Sequence, residues 1–289
     1  MHGPWGDHGH SNNPAFSGVV GVVFDKSQTN LIECPAATRG AFEVPNSMAE
    51  IAAYAFVGCT NLTQIILPSS VKSIGPFAFA YCTSLTNVVI PESVTDIPDG
   101  TFNNCLSLTG IVLPGGVTNI GTRAFFATGL TNVSLPDSLI CIESNAFQYC
   151  WGLTNVTIPD GVKNIGANAF AESYLHTVTV PASVTNIGTS AFEYCTSLTN
   201  AVIAGNAPGI GQDAFFGDEE LASAYLRLDL SGNRMNFSVN GRPGVAVTLE
   251  ACADLASWTP IRTFTLTNGT FSSAVSLSAG NRFYRLTSH

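Results

Sequence analysis

Cysteine and histidine carry the most chemistry in this chain, with eight of the first and five of the second among 289 residues. Thiolates and imidazoles would hold zinc if they came as CxxC or paired Cys/His motifs, and thiols on adjacent segments would form disulfides. Neither zinc spacing occurs. Instead Cys59, Cys82, Cys105, Cys150 and Cys195 each follow a phenylalanine by three residues. Such regularity favours a column of small buried thiols, one per structural unit. Two exceptions strengthen it: Thr128 and Ser173 take the cysteine's place in units that are also one residue shorter. Cys141 stands where other units have Ser73, Asp96, Asn119, Asn164 and Asn186, and is expected to be an exposed free thiol. Cys34 and Cys252 have no evident partner.

The histidines are less organised. His2, His8 and His10 lie beside Asp7 and would chelate a transition metal if held together. They fall in residues 1–14, expected to be a flexible leader or the truncated start of a longer array. His176 replaces a threonine of the repeat and reads as a surface substitution, and His289 is the last residue. No GxSxG, HExxH or P-loop is present. Asp96, Asp137, Glu143 and Asp160 are scattered as solvated charges rather than paired as acid and base. The expectation is no enzyme: no catalytic residue, no cofactor and no resident metal.

Bulk properties narrow the partners. Net charge is −9 and the pI about 4.8, so no basic patch exists to meet phosphates, and nucleic acid is excluded. Charged residues make up 11% of the chain, roughly half the usual share, so the polar surface must be built from Thr, Asn, Ser and Gly. No run of 18 apolar residues occurs, and no membrane insertion is expected. The opening MHGPWGDHGHSNNPAF has no apolar signal region, so an export signal is expected to be missing here.

The elements that position these residues are set by an internal repeat. A phenylalanine recurs at 56, 79, 102, 125, 147, 170, 192 and 215, in steps of 22 or 23 residues. Prolines at 45, 68, 91, 114, 136, 159 and 181 keep the same period, as do isoleucines at 51, 74, 97, 120, 142, 165, 187 and 210. In the unit Leu85 to Ser107, the β-branched run before Pro91 reads as a strand, since proline lacks the N–H that would continue pairing. Val94 to Ile97 is a second short extended piece, and the stretch around Phe102 and Cys105 is expected to be a short helical turn. One unit cannot bury its own apolar side, so units must stack in parallel at the strand spacing of ~4.8 Å. The phenylalanines should then form a buried aromatic stack.

The pattern LTxVxIPxSVTxIGxxAFxxCxS resembles the BspA-like leucine-rich repeats of bacterial surface proteins. The resemblance covers about residues 10–225. It implies a β-rich leucine-rich-repeat solenoid over residues 15–226 and an extracellular or bacterial cell-surface location. Asn12 to Pro35 resembles an irregular repeat of that family, and Asn206 to Leu226 its closing repeat. Residues 227–289 alternate apolar and polar residues and read as a small antiparallel β-sandwich-like module. Its expected core is Trp258, Phe283 and Tyr284, and Asn268-Gly269 reads as a hairpin turn. The string from Val247 to Leu286 is similar to a C-terminal module on bacterial secreted proteins. Capping the solenoid's open edge is its most economical role, with sorting or carbohydrate binding as alternatives.

Parallel stacking turns outward strand residues into columns. Alternation in the unit above puts Leu85, Val88 and Ile90 inward, with Asn87 and Val89 outward. One column is then Gln64, Asn87, Gly110, Asn132, Asn155, Thr177 and Asn200. Its neighbour is Ile66, Val89, Val112, Ser134, Thr157, Thr179 and Val202. Amides in one rank and aliphatics in the other make a neutral candidate face for a protein or glycan ligand. The function expected is a binding or adhesion scaffold. Alternatives are a structural spacer displaying the C-terminal module, and a glycan-active enzyme whose site carries no familiar motif.

Overall fold

The computed structural model describes residues 16–19, 21–203, 209–211 and 213–215, and the strands 225–231, 234–240, 246–252, 259–265, 270–276 and 283–288. Its centre is a solenoid of stacked coils, one for each ladder phenylalanine. Each coil contributes to two parallel ladders. The longer row includes Arg39–Glu43, Asn61–Ile66 and Asn87–Val89, continues through single bridges from Val89 to Val112 and Val112 to Ser134, and resumes at Thr177–Val180 and Asn200–Ile203. A second row consists of two-residue strands such as Ser73–Ile74, Asp96–Ile97 and Asn164–Ile165. Chain must turn three times within 22 or 23 residues, and proline closes the first strand, so neither row can be long.

Inward positions follow the alternation of the strand. Leu85, Val88 and Ile90 are buried while Asn87 and Val89 are exposed. The ladder phenylalanines from Phe56 to Phe192 are completely buried. Successive rings stack face to face, with centroids 5.3 Å apart between Phe56 and Phe79 and 5.1 Å between Phe192 and Phe215. Each such contact adds ~0.5–1.5 kcal/mol beyond area burial. Threonine and serine hydroxyls tie the outside together: Thr86 Oγ1 donates to Thr63 O at 3.0 Å, and Thr185 Oγ1 to Lys163 O at 3.0 Å, each in the preceding coil. The polar composition therefore has a structural use as well as a solvating one.

The helical turn expected around each phenylalanine is not what forms, and no helix occurs among the described residues. Two residues per turn adopt left-handed backbone, two before and two after the phenylalanine: Phe77 (φ 55°) and Tyr81 (φ 61°) flank Phe79, and Asn145 and Tyr149 (both φ 61°) flank Phe147. These reversals split the N–H groups into two sets. Phe77, Phe79 and Tyr81 donate to Asp99, Thr101 and Asn103 of the next coil at 2.8, 2.9 and 2.7 Å, while Ala78, Ala80 and Cys82 donate three residues back within their own coil. A left-handed conformation costs a non-glycine residue ~1–2 kcal/mol, but a helical turn would leave the adjacent coil's carbonyls without donors. The ladder of hydrogen bonds between coils wins.

Glycines after the ladder isoleucines mark the closest approach of neighbouring coils. A Cβ on Gly75, Gly166, Gly188 or Gly211 would lie 2.3–2.5 Å from a backbone nitrogen of the preceding coil. At the start of the described chain, Phe16–Val19, Val22–Asp25 and Asn30–Glu33 pair antiparallel, and only the last joins the parallel stack, through Glu50–Ile51. Beyond the coils, Tyr225–Ser231 pairs in parallel with Asn200–Ile203, then antiparallel with Arg234–Asn240, which pairs with Thr270–Ser276. Ala246–Cys252 lies between Thr259–Thr265 and Phe283–Ser288 in a separate sheet. Residues 1–14, Trp258, the Asn268-Gly269 pair and the side chains of Phe283 and Tyr284 lie outside what is described. The strands on either side of Asn268-Gly269 belong to different sheets.

Candidate functional site

Two regions of the solenoid surface present groups that could recognise a ligand. The first is the outer face of the longer strand row. Backbone pairing sets Gln64 beside Asn87, Ile66 beside Val89, Val89 beside Val112 and Val112 beside Ser134. Farther along, Asn155 lies beside Thr177, Thr177 beside Asn200 and Thr179 beside Val202. The columns drawn from the repeat are therefore in register at each of these backbone pairs. Asn132, Ser134, Asn155, Thr157, Thr177 and Thr179 are exposed, and Gln64 is half-buried. The side chains of Asn200 and Val202 lie outside the described set.

Ile66, Val89 and Val112 are 44%, 63% and 75% exposed. Three β-branched aliphatics thus stand exposed in consecutive coils, side by side through their backbone pairing. The neighbouring amides are turned toward their own coils. Asn132 Nδ2 donates to Thr131 Oγ1 at 3.3 Å, and Asn155 Nδ2 to Thr154 Oγ1 at 3.1 Å. Amide hydrogen bonds between coils occur on the other strand row, where Asn119 Nδ2 donates to Asp96 Oδ1 at 2.9 Å and Asn186 Nδ2 to Asn164 Oδ1 at 2.8 Å.

The cysteine column lies inside and has a defined task. Cys82 Sγ donates to Phe56 O at 3.1 Å, Cys105 Sγ to Phe79 O at 3.1 Å and Cys150 Sγ to Phe125 O at 3.1 Å, always into the preceding coil. The Phe56 and Phe79 carbonyls already accept the N–H of Cys59 and Cys82 in their own coils, and the Phe125 carbonyl the Thr128 hydroxyl, so the thiol satisfies the second lone pair. Thr128 and Ser173 are buried in the same column, with Oγ1 and Oγ 3.2 Å and 3.3 Å from Cys150 Sγ and Cys195 Sγ. Burial raises the Cys82 thiol to about 12 and the Cys150 thiol to about 11. Such thiols are protonated and unreactive at neutral pH. Cys141 is half-buried rather than fully exposed. Burial first, and Glu143 second, raise its thiol above the ordinary value.

The second region was not legible from repeat positions alone. On the turn edge, Trp151, Glu172, Tyr174, Tyr194 and Thr196 line an open groove of about 430 Å³. They come from three adjacent coils. The Tyr149 hydroxyl hydrogen-bonds Glu172, which is the main reason its phenol is held above the ordinary value. The signal that would have found the groove is departure from the repeat: the position four residues after the phenylalanine is threonine in Thr60, Thr83 and Thr196 but aromatic in Trp151 and Tyr174.

The family model for the BspA type leucine-rich repeat region matches in six copies, over residues 38–150 and 118–231. The chain belongs to the BspA-type leucine-rich-repeat family. Among solved structures, a leucine-rich-repeat protein from Eubacterium ventriosum is 26% identical, covers 57% of this chain and 51% of its own, and has a TM-score of 0.46. The present chain thus spans about half the length of that relative. The T. pallidum leucine-rich-repeat protein is 27% identical over 68% of this chain and 85% of its own, with a TM-score of 0.48. A leucine-rich cell surface protein from Faecalibacterium prausnitzii is 26% identical over 72% of this chain and 73% of its own, with a TM-score of 0.43. No curated protein matches the chain in sequence.

Proposed function

We propose that this BspA-type repeat protein is displayed outside the bacterial cell and binds a protein or glycan partner on its strand face, without catalysis. The aliphatic row Ile66, Val89 and Val112 carries the reading. Those side chains are 44–75% exposed and aligned by backbone pairing, and a partner covering them would release water from a contiguous apolar strip. Ser134, Thr157 and Thr179 extend the strip with hydroxyls, and Asn87, Asn132 and Asn155 flank it with amides, a polar border around an apolar centre. The test is a matrix-protein and glycan array probed with the whole chain and with the Val89→Asp/Val112→Asp variant. Loss of binding at an unchanged unfolding midpoint supports the reading. Binding that survives both charges refutes it.

We read the strands from Tyr225 onward as a β-sandwich-like module that caps the solenoid. Tyr225–Ser231 occupies the place of a further coil beside Asn200–Ile203, which leaves that row no open edge there. The same continuity supports a second reading, in which the coils are a spacer that displays the module. Under it the array signal follows the tail and ignores the strand face.

A further inference from the structure

The turn-edge groove has no role in the strand-face reading, and the repeat does not require it. Four residues after the phenylalanine, where three coils have threonine and others Leu106 and Gly129, two successive coils carry Trp151 and Tyr174, which stand 55% and 49% exposed, with Tyr194 46% exposed in the next coil. Solvent-facing aromatics of this size bring no core packing, so their clustering is the informative observation. The coil of Tyr174 is one residue shorter after its phenylalanine than the coils of Trp151 and Thr196 on either side. The groove opens where that short coil is set between two full ones. Shortening alone does not demand an aromatic. In the other short coil the position is Gly129, where an added Cβ would lie 2.3 Å from Leu106 O.

We propose that this groove is a carbohydrate-binding site that takes a neutral oligosaccharide laid across the three coils. A pyranose offers an apolar C–H face and a rim of hydroxyls. The groove offers the matching set: ring surface from Trp151, Tyr174 and Tyr194, an acceptor carboxylate in Glu172, and a hydroxyl in Thr196. Aromatics that are apolar on the face and polar at the tip suit a ligand that is partly wet. Polar and aromatic groups are also mixed along the stack. Two residues after the phenylalanines the order is Tyr149, Glu172, Tyr194, and four residues after them it is Trp151, Tyr174, Thr196. A sugar, with apolar ring faces and hydroxyl edges, matches a lining that mixes rings with hydrogen-bonding groups, whereas a protein anchor calls for an unbroken apolar pocket. An organic cation calls for ring faces that close around it and exclude water. This groove is open and does not close around a guest.

The experiment uses the whole chain against immobilised neutral hexasaccharides (cellohexaose, chitohexaose, laminarihexaose and mannohexaose), followed by calorimetry on any that bind. Tetramethylammonium chloride serves as the cation probe. At least one hexasaccharide binds, and Trp151→Ala and Tyr174→Ala each weaken it at least tenfold at an unchanged unfolding midpoint. Trp151→Phe, which keeps a ring, retains most of the affinity. Val89→Asp/Val112→Asp leaves sugar binding intact, which separates this site from the strand face. Three results overturn the proposal: no hexasaccharide binds, sugar binding is indifferent to Trp151→Ala, or only tetramethylammonium binds.

Discussion

Replacing Gly188 with alanine tests the packing logic of the stack at one of its close approaches. A Cβ there would sit 2.4 Å from Ala167 N and 2.6 Å from Gly166 C, against 3.4 Å or more for an ordinary contact. Both atoms are backbone, so no side chain can swing away. Relief requires the coils to part by about 1 Å, which stretches the 2.7 Å bond from Gly188 N to Ile165 O beyond useful range. Overpacking of this kind costs ~1–3 kcal/mol, and a lost hydrogen bond adds about 0.5–1.5 kcal/mol. The upper end is bounded by the molecule itself, since Ala52, Pro98 and Glu143 occupy the equivalent position in other coils. The expected loss is therefore about 2–4 kcal/mol. Gly110→Ala is the control, because a Cβ there meets nothing within 4 Å. Equilibrium urea unfolding followed by circular dichroism compares the two, with the control expected within ~0.5 kcal/mol of the parent. If Gly188→Ala is no more damaging than Gly110→Ala, the close approach of the coils is not what selects glycine.

Other consequences are as direct. Phe147→Ala opens a cavity between Phe125 and Phe170 in the stack and should cost ~3–5 kcal/mol by the same unfolding measurement, with Phe147→Leu recovering part of it. Burial alone would raise the Asp25 carboxyl, but hydrogen bonds from the Ser27 hydroxyl, the Asn30 and Thr29 N–H groups and the Thr29 hydroxyl outweigh it and lower the value from 3.8 to about 2. Because the folded value is the depressed one, its stabilisation is complete above pH 4 and fades as pH falls toward 2. Asp25→Asn should flatten that part of an acid-unfolding curve. In a Cys252→Ser background, native-state titration with a thiol reagent should label Cys141 well before the buried column Cys59, Cys82, Cys105, Cys150 and Cys195, and Cys141→Ser should remove the early phase.

The coil was legible because its determinants are local and repeated. Pro91 ends a strand that alternates Val88 inward and Val89 outward, and the same letters recur at one period, so sequence order alone placed Ile66, Val89 and Val112 in a row. The turn was not legible, because nothing in the identities of Phe77, Tyr81 or Tyr149 announces left-handed backbone. That conformation is imposed by carbonyls of the neighbouring coil, which are distant in sequence. Nor was the groove, for a related reason. Trp151 and Tyr174 are separate departures from the repeat, and Tyr194 one of its recurring tyrosines, until stacking brings them onto one edge. Averaging over repeats shows what the coils share and hides the two aromatics that make the groove.

The alternate N–H groups that each turn gives to the next coil also decide how the molecule answers to tension. These bonds run along the stack, so coils are joined as rungs are, while each coil is itself a continuous loop of chain. Pulling on the two ends therefore loads one interface at a time and unravels coils singly from an end. Each event frees 22 or 23 residues, a lengthening of about 75 Å at ~3.3–3.6 Å per residue. A solenoid built this way absorbs a sudden pull as a staircase of small extensions, and the coils not yet reached keep their faces intact.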